Sequence, residues 1–185
     1  MQPRDASQMP DFVASELQKC GLTLSDVPRW SFGSGPGSFT FLRVAAALGA
    51  GWAAANEKIR FRCLPGALAL AKAMHPAAGE RVGVIYDGRN RELLCFMVEN
   101  ADGKLRPTGE ELILNAPDAQ TYFAANTVRL AAFAKDAPAL ETLLADVDLK
   151  FAVLEADMSA FDDSDAAFDN DADKMVYIRP AVAAR

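Results

Sequence analysis

The apolar residues in the first third of the chain fall into two helical stripes separated by a short extended run. Met9, Phe12, Val13, Leu17 and Cys20 recur at spacings of three and four, which predicts one helix from about Pro10 to Cys20. Pro10 is tolerated in the first turn, and Gly21 stands at the C′ stop. Arg29-Trp30-Ser31-Phe32 reads as a strand over 29–33. The glycine turn Ser34-Gly35-Pro36-Gly37-Ser38 follows, with Ser38 as N-cap of the next helix. In that helix Phe41, Val44, Leu48 and Trp52 form one bulky stripe, and the other positions from Ala45 to Ala55 are Ala or Gly. Ala45, Gly49 and Ala53 make one small-residue row; Ala46, Ala50 and Ala54 make another. No charge falls between Arg43 and Glu57, so the helix is expected to be buried all round. Its apolar run of about 15 residues is shorter than the about 20 that a bilayer crossing needs.

Farther along, the period changes. Ile59 to Leu64 alternates as a strand, and Pro65 opens a helix through Met74. His75 to Glu80 reads as a loop and as the boundary between two lobes, 1–76 and 77–185. Arg81 to Tyr86 and Glu92 to Val98 are strands joined by Asp87-Gly88-Arg89-Asn90, a hairpin turn. Both strands are apolar on both faces, which places them inside a covered sheet. A second turn at Asn100 to Gly103 leads to further strands at Lys104 to Thr108 or Glu111 to Leu114. A helix at Pro117 to Ala125, a strand at Thr127 to Phe133, a helix at Pro138 to Ala145 and a strand at Lys150 to Leu154 follow. Met175 to Pro180 closes the chain as an extended piece.

Composition narrows the chemistry. A net charge of −6 argues against a broad basic face for nucleic acid. No leader-like h-region follows Gln2-Pro3-Arg4-Asp5, and the expected compartment is the cytoplasm. Cys20, Cys63 and Cys95 sit among apolar residues and are expected to be buried thiols rather than disulfides or a zinc site. With His75 the single histidine, a Ser-His-Asp triad or a multi-histidine metal centre has little to be built from. Glu155 to Asp173 carries eight acids and no base, so it is expected to be a solvated linker. Asp169, Asp171 and Asp173 resemble the start of a calcium loop, but Lys174 replaces its glycine and Pro180 its final Glu. The glycine turn ahead of a helix suits either an anion cradle or an ordinary α/β corner; its spacing matches neither the dinucleotide nor the phosphate-loop pattern.

Gly35-Pro36-Gly37-Ser38-Phe39-Thr40, followed by Leu42-Arg43, resembles the signature Gly-Pro-Gly-Ser-Phe-Thr-Gly-Leu-Arg of the TsaB (YeaZ) family, once grouped with M22 glycoproteases. Gly21 to Val27, the Asp87, Arg89 and Glu92 set, and Val176-Tyr177-Ile178-Arg179-Pro180 resemble other segments of that family. The resemblance implies an α/β fold of the actin/Hsp70-like (ribonuclease H-like) type: two lobes, each a mixed sheet flanked by helices. It departs in three places. Phe41 replaces a signature glycine; Gly88 and Arg91 stand where the family has Ala and Gly; and the opening Leu-Ala-Ile-Asp-Thr-Ser strand and first hairpin have no counterpart. An incomplete N-terminal lobe is therefore expected, with apolar surface beside the strand at 29–33 awaiting a cover.

The resemblance implies a non-catalytic subunit without cofactor or metal. Such subunits support threonylcarbamoyl transfer to an adenosine of tRNA through a TsaD-like transferase and a TsaE-like ATPase. They meet tRNA only indirectly, have no membrane role and form homodimers when alone. The signature residues Gly35, Pro36, Gly37, Ser38, Phe39, Thr40, Leu42 and Arg43 are then the expected partner-binding loop. Phe12, Val13, Leu17, Phe41, Ala45, Leu48, Gly49 and Trp52 are the expected helix-pairing surface. Two alternatives stay open: a diverged homodimer without a tRNA role, and a nucleotide-binding protein using the glycine turn.

Overall fold

The structure is a computed structural model that describes residues 5–36 and 39–174 and, of Phe39, the backbone alone. Gly37 and Ser38 of the signature and the extended piece at Met175 to Pro180 lie outside these residues. The chain forms two compact units. One takes the described residues up to Pro65 and from Asp165; the other is Gly66–Ser164. The division therefore falls between Pro65 and Gly66 rather than between 76 and 77, and the chain's last described stretch belongs with the first unit.

In the first unit, α1 (Met9–Lys19) precedes β1 (Arg29–Gly33), α2 (Phe39–Ala55) and β2 (Arg60–Leu64). The strands pair in parallel, Arg29 with Arg60 through Gly33 with Leu64. A parallel pair cannot be closed by a tight turn, so the chain crosses over, and α2 is the crossover. Alternation along the strands puts Trp30, Phe32, Phe61 and Cys63 on the face that meets Leu42 and Ala45 of α2. Gly49 makes that approach feasible. A Cβ there would stand 3.0 Å from Phe32 and 3.1 Å from Phe61.

Two expectations fail in this unit. α2 is not buried all round: Leu42, Ala45 and Gly49 are buried, while Thr40, Arg43, Ala47, Ala50, Gly51, Ala54 and Ala55 are exposed. A two-stranded sheet covers only one side of a helix. Cys20 is exposed as well, because it caps α1 beyond that helix's apolar face.

The opposite face of the β1–β2 pair carries arginines. Arg62 is only 6% exposed. Its Nε–H donates to Ser31 Oγ at 2.9 Å and its Nη1 donates to the Ala166 carbonyl at 2.9 Å. Its guanidinium lies 4.2 Å from the centre of the Phe168 ring. Asn170 then completes the outer edge of β2: its Oδ1 accepts the Phe61 N–H at 2.8 Å, and its own N–H donates to the Phe61 carbonyl at 3.0 Å. The acidic segment is therefore not a solvated linker throughout. Phe168 and Asn170 pin it to the first unit, and Ala160 and Phe161 are buried within the second.

The second unit contains α3 (Ala67–Ala73), β3 (Arg81–Asp87), β4 (Leu93–Ala101), β5 (Lys104–Leu114), α4 (Ala116–Ala125), β6 (Arg129–Phe133), α5 (Ala137–Leu143) and β7 (Ala152–Leu154). The sheet order is β5-β4-β3-β6-β7, with β3–β4–β5 antiparallel and β3–β6–β7 parallel. This is the mixed, helix-flanked sheet that the actin/Hsp70-like resemblance implies. The two candidate strands after Gly103 are one strand, interrupted in register opposite Phe96 and Val98, where Gly109 adopts a φ of 81°. Ile85, Leu93, Met97, Leu130 and Leu140 form the core on one side of the sheet. β6–α5–β7 repeats the parallel strand–helix–strand connection of β1–α2–β2.

Two substitutions test these contacts. Gly49→Val should lower stability by about 2 kcal/mol, measured by urea unfolding, because the added carbons overpack Phe32 and Phe61. Asn170→Ala should cost about 1–2 kcal/mol in the same assay by leaving the Phe61 N–H unpaired.

Candidate partner interface

α1 is amphipathic, yet none of its residues is buried. Phe12, Val13 and Leu17 are half-buried. Beside them lies an open groove of about 430 Å3 lined by Pro10, Val13, Leu17, Leu22, Leu24 and Trp52, with further lining from the same helix and connector. Leu22, at 42% exposed, stands on its rim.

The groove has firm walls. α1 ends where Gly21 adopts a φ of 69°, a backbone state that glycine enters without strain. The connector then folds on itself: Asp26 Oδ2 accepts both the backbone N–H and the hydroxyl of Thr23, at 2.8 and 2.6 Å. Those bonds hold the Asp26 carboxyl below its usual range, the hydroxyl bond being the larger cause. On the far side Trp52 packs 4.7 Å from Trp30 and 5.9 Å from Phe32, centre to centre. Trp30 is itself fixed by donating its indole N–H to the Val27 carbonyl at 2.8 Å.

The residues named from the sequence divide into two groups. Phe12, Val13, Leu17 and Trp52 come together around this groove or on its helix, and Phe41 and Leu48 are half-buried on α2. Ala45 and Gly49 do not join them, because both are buried against the unit's own sheet. Sequence reading missed the exposed small face of α2 formed by Ala47, Ala50, Gly51 and Ala54. The second small-residue row, containing Ala50 and Ala54, was its signal.

The signature loop is a corner between β1 and α2. The Ser34 N–H donates to the Leu64 carbonyl at 2.7 Å, and Gly35 is buried with a φ of 113°. Pro36 is half-buried, Leu42 points into the core, and Thr40 and Arg43 are exposed.

Reactive chemistry is sparse. Burial pushes the Cys63 thiol up to about 11, with Asp169 and Asp171 adding to it, and the Cys95 thiol up to about 12. Neither is a thiolate nucleophile near neutral pH. His75 sits at the end of α3 with a φ of 48°, beside a cavity of about 160 Å3 shared with Lys72, Asn100 and Asp163. Lys72 is ion-paired to Asp163. Among the described residues no three His, Cys, Asp or Glu side chains converge as metal ligands. Asp136, at the start of α5, is a carboxyl of the second unit that is shifted upward. Burial pushes its pKa up, Lys135 at 3.6 Å opposes the rise, and Asp87 adds to it. The neighbouring Tyr86 hydroxyl is buried and raised for the same first reason.

The family model described as "TsaD: tRNA N6-adenosine threonylcarbamoyltransferase" matches residues 3–175. The chain belongs to this family. A Pseudomonas aeruginosa structure described as an uncharacterized protein with similarity to peptidase YEAZ matches with a TM-score of 0.62 and 23% identity, covering 86% of this chain and 75% of that one. YeaZ from Pseudomonas aeruginosa matches with a TM-score of 0.60 and 23% identity, covering 85% of this chain and 72% of that one. The YeaZ-like fold implied by the signature is thus the fold observed. No curated protein matches the sequence. Membership of the family ties the chain to threonylcarbamoyladenosine formation in tRNA. No helix among the described residues is long and apolar enough to cross a membrane.

Asp136 supplies a pH test. Its folded pKa lies above the unfolded value of 3.8, so its contribution to stability is present below 3.8 and is lost as pH rises through the folded pKa. Asp136→Asn removes that loss. Urea midpoints of variant and wild type should be close near pH 3.8, and the variant should be the more stable at pH 7.

Proposed function

We propose that the chain is a non-catalytic partner subunit in tRNA threonylcarbamoylation, docking through α1, the groove and the exposed face of α2 onto a TsaD-like transferase. The observation that carries this reading is an amphipathic helix with no buried residue beside an apolar groove, in a member of the transferase family. The groove's mainly apolar lining is of the kind that takes the apolar face of a partner helix. The exposed Ala and Gly residues of α2 from Ala47 onward support it, since they let a partner helix approach closely. The raised thiols, the single histidine and the lack of a ligand cluster among the described residues favour a scaffold over an enzyme.

In this reading the groove accepts an apolar helix, and the same surface pairs two copies when the transferase is absent. The assembly includes a TsaE-like ATPase, works in the cytoplasm and meets tRNA through the transferase. The glycine turn serves as the corner that launches α2 and takes no nucleotide.

Val13→Asp combined with Leu17→Glu should abolish co-elution with the transferase on size exclusion. It should lower folding stability by no more than about 2 kcal/mol, because both side chains are only half-buried. The same variant should fail to restore threonylcarbamoyladenosine in cells depleted of their own subunit. Intact co-elution would overturn the docking surface. A wild-type self-dimer with no transferase affinity would favour a diverged homodimer, and calorimetric heat from ATP or ADP with the chain alone would favour nucleotide binding.

A further inference from the structure

The outer face of the β1–β2 pair breaks a rule of sheet design. Arg29 and Arg60 are direct partners in the parallel register, so their side chains leave the same face side by side. Like charges set directly opposite each other on a sheet repel. Both residues are exposed, and among the described residues neither has a carboxylate partner. Arg60 makes one long bond, 3.5 Å, to the Ile59 carbonyl. Arg29 lies 5.4 Å from the centre of the Phe168 ring, whose other contact is the Arg62 guanidinium. Three arginines and one phenyl ring thus share a face in a chain of net charge −6.

Two nearby acids are engaged elsewhere. Asp169, next to Phe168, pairs with Lys174, and Asp171 accepts the Asp173 N–H at 2.9 Å. Neither of these two carboxylates is paired with Arg29 or Arg60.

We propose that Arg29 and Arg60 form a binding site for a phosphate group. A phosphate presents oxygens to two guanidinium forks at once, and it offsets both charges as a monoester dianion and one as a backbone diester, whereas one carboxylate satisfies one fork. Phe168 steadies Arg29 from the side by a cation–π contact. Arg62, already committed to Ser31 and Ala166, adds positive potential without offering donors of its own. The phosphate comes from an RNA backbone or from a free phosphate-bearing ligand. The site is separate from the α1–α2 groove and does not depend on the partner reading.

The test titrates the full chain with inorganic phosphate by calorimetry and with a 5′-labelled single-stranded RNA 12-mer by fluorescence anisotropy at several salt concentrations. Wild type, Arg29→Gln, Arg60→Gln and the double variant are compared. Each single substitution should weaken binding about tenfold. If RNA is the source, the slope of log K against log salt should fall by about 0.7 per arginine removed. The melting temperature of Arg60→Gln should equal or exceed that of wild type, since a repulsion is relieved. Phosphate binding without RNA binding, lost in the double variant, upholds the site and assigns it to a free ligand. Equal affinities across all four proteins would overturn it, as would a lowered melting temperature for Arg60→Gln or tighter binding of poly-glutamate than of RNA. Loss of transferase co-elution in the helix variants leaves these titrations unchanged, so the two proposals fail separately.

Discussion

The first unit depends on the parallel pairing of β1 with β2. Parallel strands need a long crossover, and α2 is that crossover. To lie flat on so small a sheet the helix must come close, and Gly49 permits the approach to Phe32 and Phe61. The sheet covers one side of the helix only. The outer face of α2 is thereby left uncovered by the sheet, and from Ala47 onward its exposed residues are Ala and Gly.

The same two strands decide what happens on the other face. Asn170 closes the outer edge of β2 with a pair of hydrogen bonds, where an open edge would invite pairing with another chain. Arg62 is buried there because its charge is shared among Ser31, a carbonyl and the Phe168 ring. A buried guanidinium is tolerable only with such partners. Arg29 and Arg60 lie exposed on the same face with fewer such contacts, a Phe168 ring contact for Arg29 and one long bond to the Ile59 carbonyl for Arg60, which gives the unit a cationic side opposite its apolar one.

The second unit is the better covered of the two. β3 runs through the middle of its sheet, paired on both sides, and its apolar residues are buried on both faces. Its ionisable groups serve packing. Arg129 binds Glu80, Arg81 binds Glu110, and Tyr122 binds the other oxygen of Glu110. The bond from Tyr122 and the pairing with Arg81 hold the Glu110 carboxyl below its usual range. These pairs tie the second unit's own elements together.

Periodicity alone determined the elements. The stripes of α1 and α2, the alternation at 60–64 and the doubly apolar β3–β4 hairpin were legible because local side-chain spacing reflects which face is buried. The signature residues made the family and its two-lobe fold legible as well. Three features were decided only in three dimensions. Whether α2 is covered on one side or all round depends on the width of the sheet beneath it, which no local pattern encodes. Ala45 and Gly49 serve that sheet rather than a partner for the same reason. And the acids at 155–173 read as a solvated run, although Phe168 and Asn170 among them meet Arg62 and Phe61 from more than a hundred positions away in the chain. Long-range pairing of that kind, like the side-by-side placement of Arg29 and Arg60, depends on register between distant strands, and register is set only when the whole sheet assembles.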